Sequence, residues 1–388
     1  MKVKLRNPDR IVDVPGPATV HKVLATLDLN PESFLVIHQA TLVTKDHLLD
    51  DDAEVEIRPV ISGGAGPAKC THCKAPSILE VPRHRSAYCG DCFVDHVRSQ
   101  VREAITKYQM MSYNDRILVA VSGGKDSLAL WDTLLDMGYR ADGMYLGLGI
   151  GTYSSNSEDQ VRAFAAQRDA TLHVVDLANE YGYGIPQATS LRTRSSCGVC
   201  GLSKRYAFNR IALEHGYDVM VTGHNLDDEA AQLLGNVLRW QTPFMARQSP
   251  CLPANDVMAK KVKPLYRLGE REMAAYCIIK GIDYVVEECP MVGGNTVLRY
   301  KDALNELERS SPGTKANFLF GFLERAQPRF FADADDEAAS LVACADCGMP
   351  TTSVPGEAHR DQAPICAFCR TRGRILDIVA VGAGTDSA

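Results

Sequence analysis

The chain has 388 residues, of which 45% are hydrophobic and 23% charged, a globular composition with room for two to four domains. It contains no run of eighteen apolar residues, and its first six residues alternate apolar with charged side chains. We therefore expect no membrane span, no signal peptide and a cytoplasmic location. The net charge of −6 argues against a uniformly basic surface but is compatible with local basic regions.

The first 64 residues contain the elements of a small separate domain. Alternation of apolar and polar residues predicts a hairpin, a helix and two strands, at residues 2–5 with 11–14, 20–27, 34–38 and 54–61. This order, with the ending Val-Ile-Ser-Gly-Gly, resembles the β-grasp sulfur carriers of the ThiS/MoaD type. The resemblance implies that Gly63 and Gly64 form a carrier terminus, which is adenylated and converted into a thiocarboxylate.

The carrier resemblance meets an obstacle at Gly64, because Ala65-Gly66-Pro67 follows it. Sulfur can be loaded on Gly64 only if the peptide bond after it is cut. Either a protease releases the carrier from the enzyme, or the fused module is a docking domain that no longer carries sulfur. The intact diglycine in a linker of small residues favours cleavage.

Eight of the thirteen cysteines form two sets of paired CxxC motifs. The first set is Cys70, Cys73, Cys89 and Cys92, and the second is Cys344, Cys347, Cys366 and Cys369. Without a secretion signal such sets indicate metal rather than disulfides, and this spacing is typical of zinc ribbons with four thiolate ligands. We expect two structural Zn²⁺ ions; redox-active dithiols are the alternative.

A glycine-rich turn follows the β-branched run at residues 117–121 and precedes an amphipathic helix. A turn between a buried parallel strand and a helix N-terminus binds anions, because backbone N–H groups and the helix dipole favour negative charge there. Its residues are Ser122, Gly123, Gly124, Lys125, Asp126 and Ser127. They resemble the PP-loop of the ATP pyrophosphatases, which implies ATP binding and an α/β fold with a parallel sheet of the adenine nucleotide alpha hydrolase-like type.

A third CxxC motif, Cys197 with Cys200, is not followed by a second pair. A separate Cys289-Pro290 follows a strand predicted at 283–286. Three cysteines suit an iron–sulfur cluster in which one iron has no protein ligand. The spacing equally allows a Cys197–Cys200 pair that carries sulfur as a persulfide and cycles through a disulfide. Cys251 and Cys277 are predicted to be packing residues.

The third CxxC motif lies in a stretch, residues 181–213, that has no acidic residue. Its basic residues are Arg192, Arg194, Lys204, Arg205 and Arg210. Such a strip can bind phosphate although the whole chain is acidic. A helix is predicted at 202–214, with Leu202, Tyr206 and Ile211 toward the core.

Residues from about 68 to 370 resemble the TtuA-like tRNA 2-thiouridine synthetases. The matching features are, in order, the first ribbon, the PP-loop, Cys197 with Cys200, residues 222–229, Cys289-Pro290 and the second ribbon. The resemblance implies that Cys197, Cys200 and Cys289 hold a 4Fe–4S cluster, with the CxxC pair taking part in catalysis. It also implies catalytic roles for Lys204 and Asp228, the latter by holding Mg²⁺ or transferring a proton. Further ATP contacts are implied at Tyr145, Gly147 and Gly223.

The predicted architecture has five parts. They are a β-grasp domain (1–64), a zinc ribbon (65–98), a PP-loop catalytic domain with the Fe–S site (99–335), a second ribbon (336–375) and a tail (376–388). The expected reaction adenylates the O2 of a tRNA uridine with ATP and replaces that oxygen by sulfur, releasing AMP and pyrophosphate. Arg192, Arg194 and Arg205 are expected to bind the tRNA.

Several partners follow from this interpretation. They are tRNA, a sulfur-carrier protein or the chain's own released β-grasp domain, an E1-like activating enzyme or a cysteine desulfurase, a protease, and a second copy in a homodimer. Two other functions stay open. One is tRNA 2-thiocytidine synthesis, and the other is a non-catalytic sulfur-transfer scaffold.

Overall fold

In the computed structural model, the described residues are 1–6, 9–29, 31, 34–59, 69–191, 194–255, 258–292, 296–330, 341–352 and 364–385. Their strands are β1 (Lys2–Leu5), β2 (Arg10–Asp13), β3 (Ala18–Thr19), β4 (Phe34–His38), β5 (Thr41–Leu42), β6 (Leu48–Leu49), β7 (Glu54–Pro59), β8 (Leu79–Val81), β9 (Ser86–Tyr88), β10 (Ile117–Val121), β11 (Ala141–Gly147), β12 (Leu172–Asp176), β13 (Val219–Thr222), β14 (Cys251–Leu252), β15 (Lys260–Val262), β16 (Leu341–Ala343) and β17 (Pro350–Thr352).

The α-helices alternate with the central strands and extend beyond them. They are α1 (Val20–Thr26), α2 (Gly90–Tyr108), α3 (Lys125–Asp136), α4 (Gly151–Gln167), α5 (Leu177–Tyr181), α6 (Ser196–Glu214), α7 (Leu226–Leu238), α8 (Thr242–Ala246), α9 (Glu270–Lys280), α10 (Thr296–Ser310), α11 (Thr314–Gly321), α12 (Gln327–Phe330) and α13 (Ala367–Thr385). None of the helices in this described part is both long and apolar enough to cross a membrane.

The central sheet has six strands in the order β12-β11-β10-β13-β15-β14, and only β14 runs antiparallel to its neighbour. Ile117, Leu118 and Val119 of β10 are fully buried, as expected for a middle strand with helices on both faces. Trp131 of α3 packs against Gly143 of β11, where any larger residue would meet its ring. The predicted α/β fold with a parallel sheet is confirmed, and its carboxyl edge carries the glycine-rich turn.

The N-terminal residues form a second sheet, in the order β2-β1-β7-β4-β5. One face, which includes Val3 and Ile57, packs on α1. The other face presents Leu35, Ile37 and Leu42, which belong to the same buried cluster as the central core. The predicted carrier glycines at 63 and 64 lie outside the described residues.

Each Cys₄ set lies beside a two-stranded hairpin, β8–β9 or β16–β17, with a helix starting at its second CxxC pair. The helix α2 starts directly after Cys89 and continues to Tyr108, across the predicted boundary at 98/99. The helix α13 crosses the second predicted boundary, at 375/376. The predicted tail at 376–388 is therefore helical as far as Thr385.

Two local predictions were wrong. Residues 283–286 do not form a strand, because the Val285 N–H donates to the Gly123 carbonyl at 2.9 Å instead of to a sheet partner. The helix predicted at 202–214 begins at Ser196 and therefore includes the CxxC motif. Its fully buried face carries Val199 and Ala207, and the residues predicted to face the core pack partly buried against the same cluster: Leu202, Tyr206 and Ile211.

Candidate active site

The glycine-rich turn between β10 and α3 depends on one glycine for its shape. Gly123 has a φ of +78°, and a Cβ atom there would lie 2.8 Å from the Ser157 carbonyl oxygen. Ser127 Oγ donates to the Gly124 carbonyl at 3.0 Å and accepts from the Ser122 N–H at 3.1 Å. The turn is thereby fixed ahead of the first turn of α3, whose N–H groups have no intrahelical acceptors. This is the geometry of a phosphate site.

A second loop, between β13 and α7, packs against this turn. A Cβ atom on Gly223 would lie 3.0 Å from the Ser127 nitrogen, so only glycine allows this approach. Asn225 caps α7 by exchanging hydrogen bonds of 3.1 Å with Asp228. The Asn225 amide also donates to Asp126 at 2.9 Å. These bonds hold the Asp228 carboxylate beside the glycine-rich turn.

Five side chains at this edge form a row of alternating charge. Lys125 Nζ lies 3.2 Å from Asp126 Oδ2 and 2.7 Å from Glu270 Oε1. Lys301 Nζ lies 3.2 Å from the other Glu270 oxygen and 2.7 Å from Asp228 Oδ1. Glu270 and Lys301 come from α9 and α10, far along the chain from the turn.

The row shifts the titration of its members in opposite directions. Although burial opposes it, the ammonium groups of Lys125 and Lys301 lower the pKa of Glu270 to about 2. Burial raises the pKa of Asp126 to about 6, although the Lys125 ammonium group opposes the shift. The negative charges of Glu270 and Asp228 also raise this pKa. Both lysine pKa values are raised by these carboxylates in spite of burial. The site therefore holds permanent cations beside carboxylates that can accept a metal ion.

The acidic residues on either side of Asp228 are buried in ion pairs. Asp227 bonds to Lys315 of α11 and accepts a 2.8 Å hydrogen bond from the Glu270 N–H. Glu229 bonds to Lys263 at 2.8 Å. Asp228 is also paired, with Lys301, but it is the most exposed of the three side chains.

The predicted adenine contacts lie on β11, next to the turn. Tyr145 pairs with Val121, the last residue before the turn. Its ring is 3% exposed, its hydroxyl donates to the Ser154 carbonyl at 2.8 Å, and burial raises its pKa. Tyr145 can therefore meet a nucleotide through its backbone only. Gly147 ends the strand beside Asp176.

The three cysteines predicted to hold a cluster come from two segments that touch. Cys197 and Cys200 lie in the first turns of α6, which is capped by Ser195. Cys197 Sγ lies 3.6 Å from the carbonyl oxygen of Met291, two residues after Cys289. Burial raises the pKa of Cys200, against the nearby Lys204 ammonium group. The three sulfur atoms do not all lie within 4.8 Å of one another.

Two chain connections bring these cysteines close to the glycine-rich turn. The Val285 N–H donates to Gly123, and four residues later comes Cys289, a span of at most about 14 Å. On the other side, Ser157 of α4 contacts Gly123, and Tyr153, one turn earlier, lies beside Cys200 and Cys289. A potential anion site and a group of thiols are therefore neighbours in the fold.

A group of basic residues lies beside the cysteines. Burial lowers the pKa of Arg205, and the positive charge of the nearby Arg194 lowers it further. Arg370 and Arg374 of α13 line a small pocket with Arg194, of about 70 Å³. Lys261 also faces Arg205. Arg192 lies outside the described residues.

Each set of four ribbon cysteines has its sulfur atoms within 4.8 Å of one another. The Cys73 and Cys89 sulfurs are 3.5 Å apart, and the Cys347 and Cys366 sulfurs 3.8 Å. Tetrahedral ligands at 2.3 Å from a metal lie about 3.8 Å apart. Backbone N–H groups also lower the pKa of Cys70 to about 6, against burial. Each set can hold one metal ion.

Comparison with known proteins identifies the family. The sequence model of the family described as a PP-loop domain matches residues 95–292. The tRNA-5-methyluridine(54) 2-sulfurtransferase of Thermus thermophilus is 46% identical over 301 residues, which cover 78% of this chain and 90% of that protein. The chain belongs to the PP-loop tRNA 2-sulfurtransferases.

Other similarities agree with this membership of the tRNA 2-sulfurtransferases. A second tRNA-5-methyluridine(54) 2-sulfurtransferase, from Pyrococcus horikoshii, is 37% identical and covers 82% of this chain and 98% of its own length. The fold resembles the U34-tRNA thiolase NcsA from Methanococcus maripaludis, solved with its [4Fe-4S] cluster. That match has a TM-score of 0.62 at 24% identity and covers 68% of this chain and 90% of that one.

The sequence did not point to two residues of this sulfurtransferase site. Glu270 and Lys301 lie in ordinary amphipathic segments, and nothing in their spacing relates them to the PP-loop. Lys301 is one of two basic residues at the start of α10, together with Arg299. Only the folded chain distinguishes the lysine that reaches Asp228.

Proposed function

We propose that this protein adenylates the O2 of a tRNA uridine with ATP and replaces that oxygen by sulfur, at 5-methyluridine 54 as the names of its relatives state. One observation carries the proposal. The PP-loop and the segment that carries Cys289 are neighbours, joined by the Val285 to Gly123 hydrogen bond. A phosphate site for activation and a thiol site for sulfur delivery are the two parts that such a reaction requires.

The residues divide the proposed work between activation and substitution. Lys125 and the N–H groups of the turn would hold the phosphates of ATP while the base oxygen attacks the α-phosphate and pyrophosphate leaves. Asp228 would hold Mg²⁺ or accept a proton, and Lys204 would stabilise the negative charge that develops as sulfur adds to C2. AMP then leaves with the former O2, so one oxygen is exchanged for one sulfur.

The donor set of Cys197, Cys200 and Cys289 fits an iron–sulfur cluster better than a zinc ion. Their sulfur atoms are not all within 4.8 Å of each other, whereas one zinc ion would draw its ligands to about 3.8 Å. A 4Fe–4S cluster on these three thiolates would leave one iron free to hold sulfide. We assign zinc to the two ribbons, where four thiolates leave no open position.

The basic group beside the cysteines is the proposed tRNA surface. It consists of Arg194, Arg205, Lys261, Arg370 and Arg374, and the sequence adds Arg192. Guanidinium groups contact phosphate oxygens bidentately and position a nucleic acid without reading its sequence. The target base must then leave its stack to reach the PP-loop and the cysteines.

Nucleoside mass spectrometry of total tRNA tests the proposal, with the native host compared with a strain lacking this gene. Loss of a 2-thiouridine species that returns with the wild-type gene is expected. Loss of 2-thiocytidine instead would change the substrate and keep the chemistry. No change in any thionucleoside would reject the enzyme and favour a sulfur-transfer scaffold, as would failure to convert ATP into AMP when tRNA is added.

For the N-terminal module we propose a β-grasp domain that docks on its own catalytic domain. Its strand order and single helix support the first part, and the shared cluster of Leu35, Ile37 and Leu42 with the central core supports the second. At the end of β7, Arg58 lies 5.8 Å from the centre of the Tyr284 ring, one residue before Val285.

We further propose that cleavage after Gly64 releases this module as the enzyme's own sulfur carrier, loaded by an E1-like enzyme or a desulfurase. We also propose that the chain is divided into the five parts described above and that two copies form a homodimer. Intact mass of protein purified from its native cells tests the cleavage. A fragment ending at Gly64, or its thiocarboxylate, is expected. A single full-length species would reject cleavage and favour a permanently fused docking domain.

A further inference from the structure

The residue that the proposed mechanism leaves without a role is Lys301. It lies on α10, which packs along α7 and thereby brings an ammonium group to the N-terminus of α7. Its side chain is 13% exposed and bridges Asp228, at 2.7 Å, and Glu270, at 3.2 Å. A partly buried lysine between two carboxylates of a ligand site is well placed to exchange one of them for a ligand anion.

Glu270 relates Lys301 to the PP-loop lysine. One oxygen of this carboxylate bonds to Lys125 and the other to Lys301, so both ammonium groups lie on the same small anion. Glu270 therefore bridges the two lysines in the way that a phosphate group of a bound nucleotide could bridge them. Lys125 by itself is a point charge and would meet only part of a triphosphate.

We propose that Lys301 is a second phosphate-binding lysine of the ATP site, and that it covers Asp228 until nucleotide arrives. When the β- and γ-phosphates enter, the ammonium group moves from Asp228 to a phosphate oxygen. The Asp228 carboxylate is then free for Mg²⁺ or for a proton. Nucleotide binding and exposure of the Asp228 carboxylate are therefore coupled.

The assignment rests on the proposed use of ATP, so the test measures nucleotide binding rather than thiolation. Full-length protein, purified anaerobically with its metals, is titrated calorimetrically with ATP and with AMP at constant Mg²⁺. Lys301→Met keeps the length of the side chain and removes its charge. We expect it to weaken ATP binding about 10- to 100-fold, as for loss of a charged hydrogen bond, and AMP binding less than about twofold. Lys301→Arg should restore most of the ATP affinity.

Arg309→Ala is the matched control, because Arg309 lies on the same helix and pairs with Glu306 at its far end. It should change neither affinity. Lys301→Gln, whose amide can still bond to Asp228, should show the same selective loss if the methionine variant folds poorly. ATP affinity close to that of the wild type in these variants would overturn the assignment. So would an equal loss of ATP and AMP binding, which indicates a structural role.

The two proposals can fail separately. A wild-type protein that binds no ATP would reject the proposed function itself and this assignment with it. Wild-type binding of ATP with unchanged affinity in Lys301→Met would reject only the role of Lys301.

Discussion

At the scale of single residues, the neighbours Asp227 and Asp228 have opposite environments. The Asp227 side chain is 3% exposed and paired with Lys315, whereas Asp228 is 29% exposed and faces the PP-loop. Both are acids in the first turn of α7, where the helix dipole favours them. Sequence alone therefore treats them alike, and only their partners separate a structural residue from a ligand-binding one.

The two aspartates should respond differently to removal of the charge. Asp227→Asn replaces the carboxylate that pairs with the buried Lys315 ammonium group by a neutral amide and should lower the free energy of unfolding by about 3 kcal/mol. Asp228→Asn keeps the cap of α7 and should leave the melting temperature nearly unchanged while thiolation falls at least about 100-fold. Scanning calorimetry and a single-turnover thiolation assay measure the two effects. If both variants lost stability equally, the functional assignment of Asp228 would fail.

A second residue-scale prediction concerns Cys289. Cys289→Ala removes one of three proposed cluster ligands, so the brown colour, the iron content and thiolation should be lost together. Cys251→Ala is the control, because Cys251 lies on the edge strand β14 and, among the described residues, belongs to none of the groups of clustered metal-ligating side chains. Absorbance at visible wavelengths and iron analysis of anaerobically purified protein measure the outcome. A fully active, iron-loaded Cys289→Ala protein would exclude the cluster role.

At the scale of elements, the turn between β10 and α3 shows how one backbone conformation fixes a site. Gly123 has a positive φ and lies against the Ser157 carbonyl, whereas Gly124 has a φ of −84° and room for a Cβ atom 3.5 Å from Ser122 Oγ. The two adjacent glycines of the motif are therefore not equivalent. The first sets the shape of the turn, and the second keeps its surface open.

Alanine at these positions should separate the two roles. Gly123→Ala requires a left-handed backbone with a Cβ atom, at a cost of about 1–2 kcal/mol before the contact with Ser157 is counted. Its melting temperature should fall clearly, and that of Gly124→Ala should stay near the wild-type value. Differential scanning fluorimetry of both variants makes the comparison. Equal melting temperatures would mean that the turn adopts another conformation in solution.

Local patterns predicted the elements that carry short-range signals. The strand at 117–121, the helix after it and the five CxxC motifs all follow from periodicity or spacing. The segment 283–286 was mistaken for a strand because its apolar residues are β-branched, while its backbone bonds to a loop 162 residues earlier, Val285 to Gly123. The start of α6 was missed because the glycines of the CxxC motif hide the helical pattern. Long-range bonds of this kind leave no local trace.

At the scale of the whole molecule, the N-terminal module buries both faces of its strand β4. On β4, Val36 packs inside the module, and the alternate residues Leu35 and Ile37 join the central core. Period-2 alternation predicts one buried face for such a strand and a solvent-facing one opposite. The sequence therefore predicted a separate domain. It could not reveal that the second apolar face packs against the catalytic domain of the same chain.

Detaching the module should therefore be possible without unfolding it. Ile37 is 8% exposed, and a carboxylate there would replace apolar burial worth about 1.5–3 kcal/mol by a buried charge. We expect Ile37→Asp to increase hydrogen exchange in β5 and along α9, which β5 contacts, while β1 and β7 keep their protection. Ile11→Asp, at a site 69% exposed on the same module, should change neither. Unchanged hydrogen exchange along α9 in Ile37→Asp would show that the N-terminal module does not dock on α9 in solution.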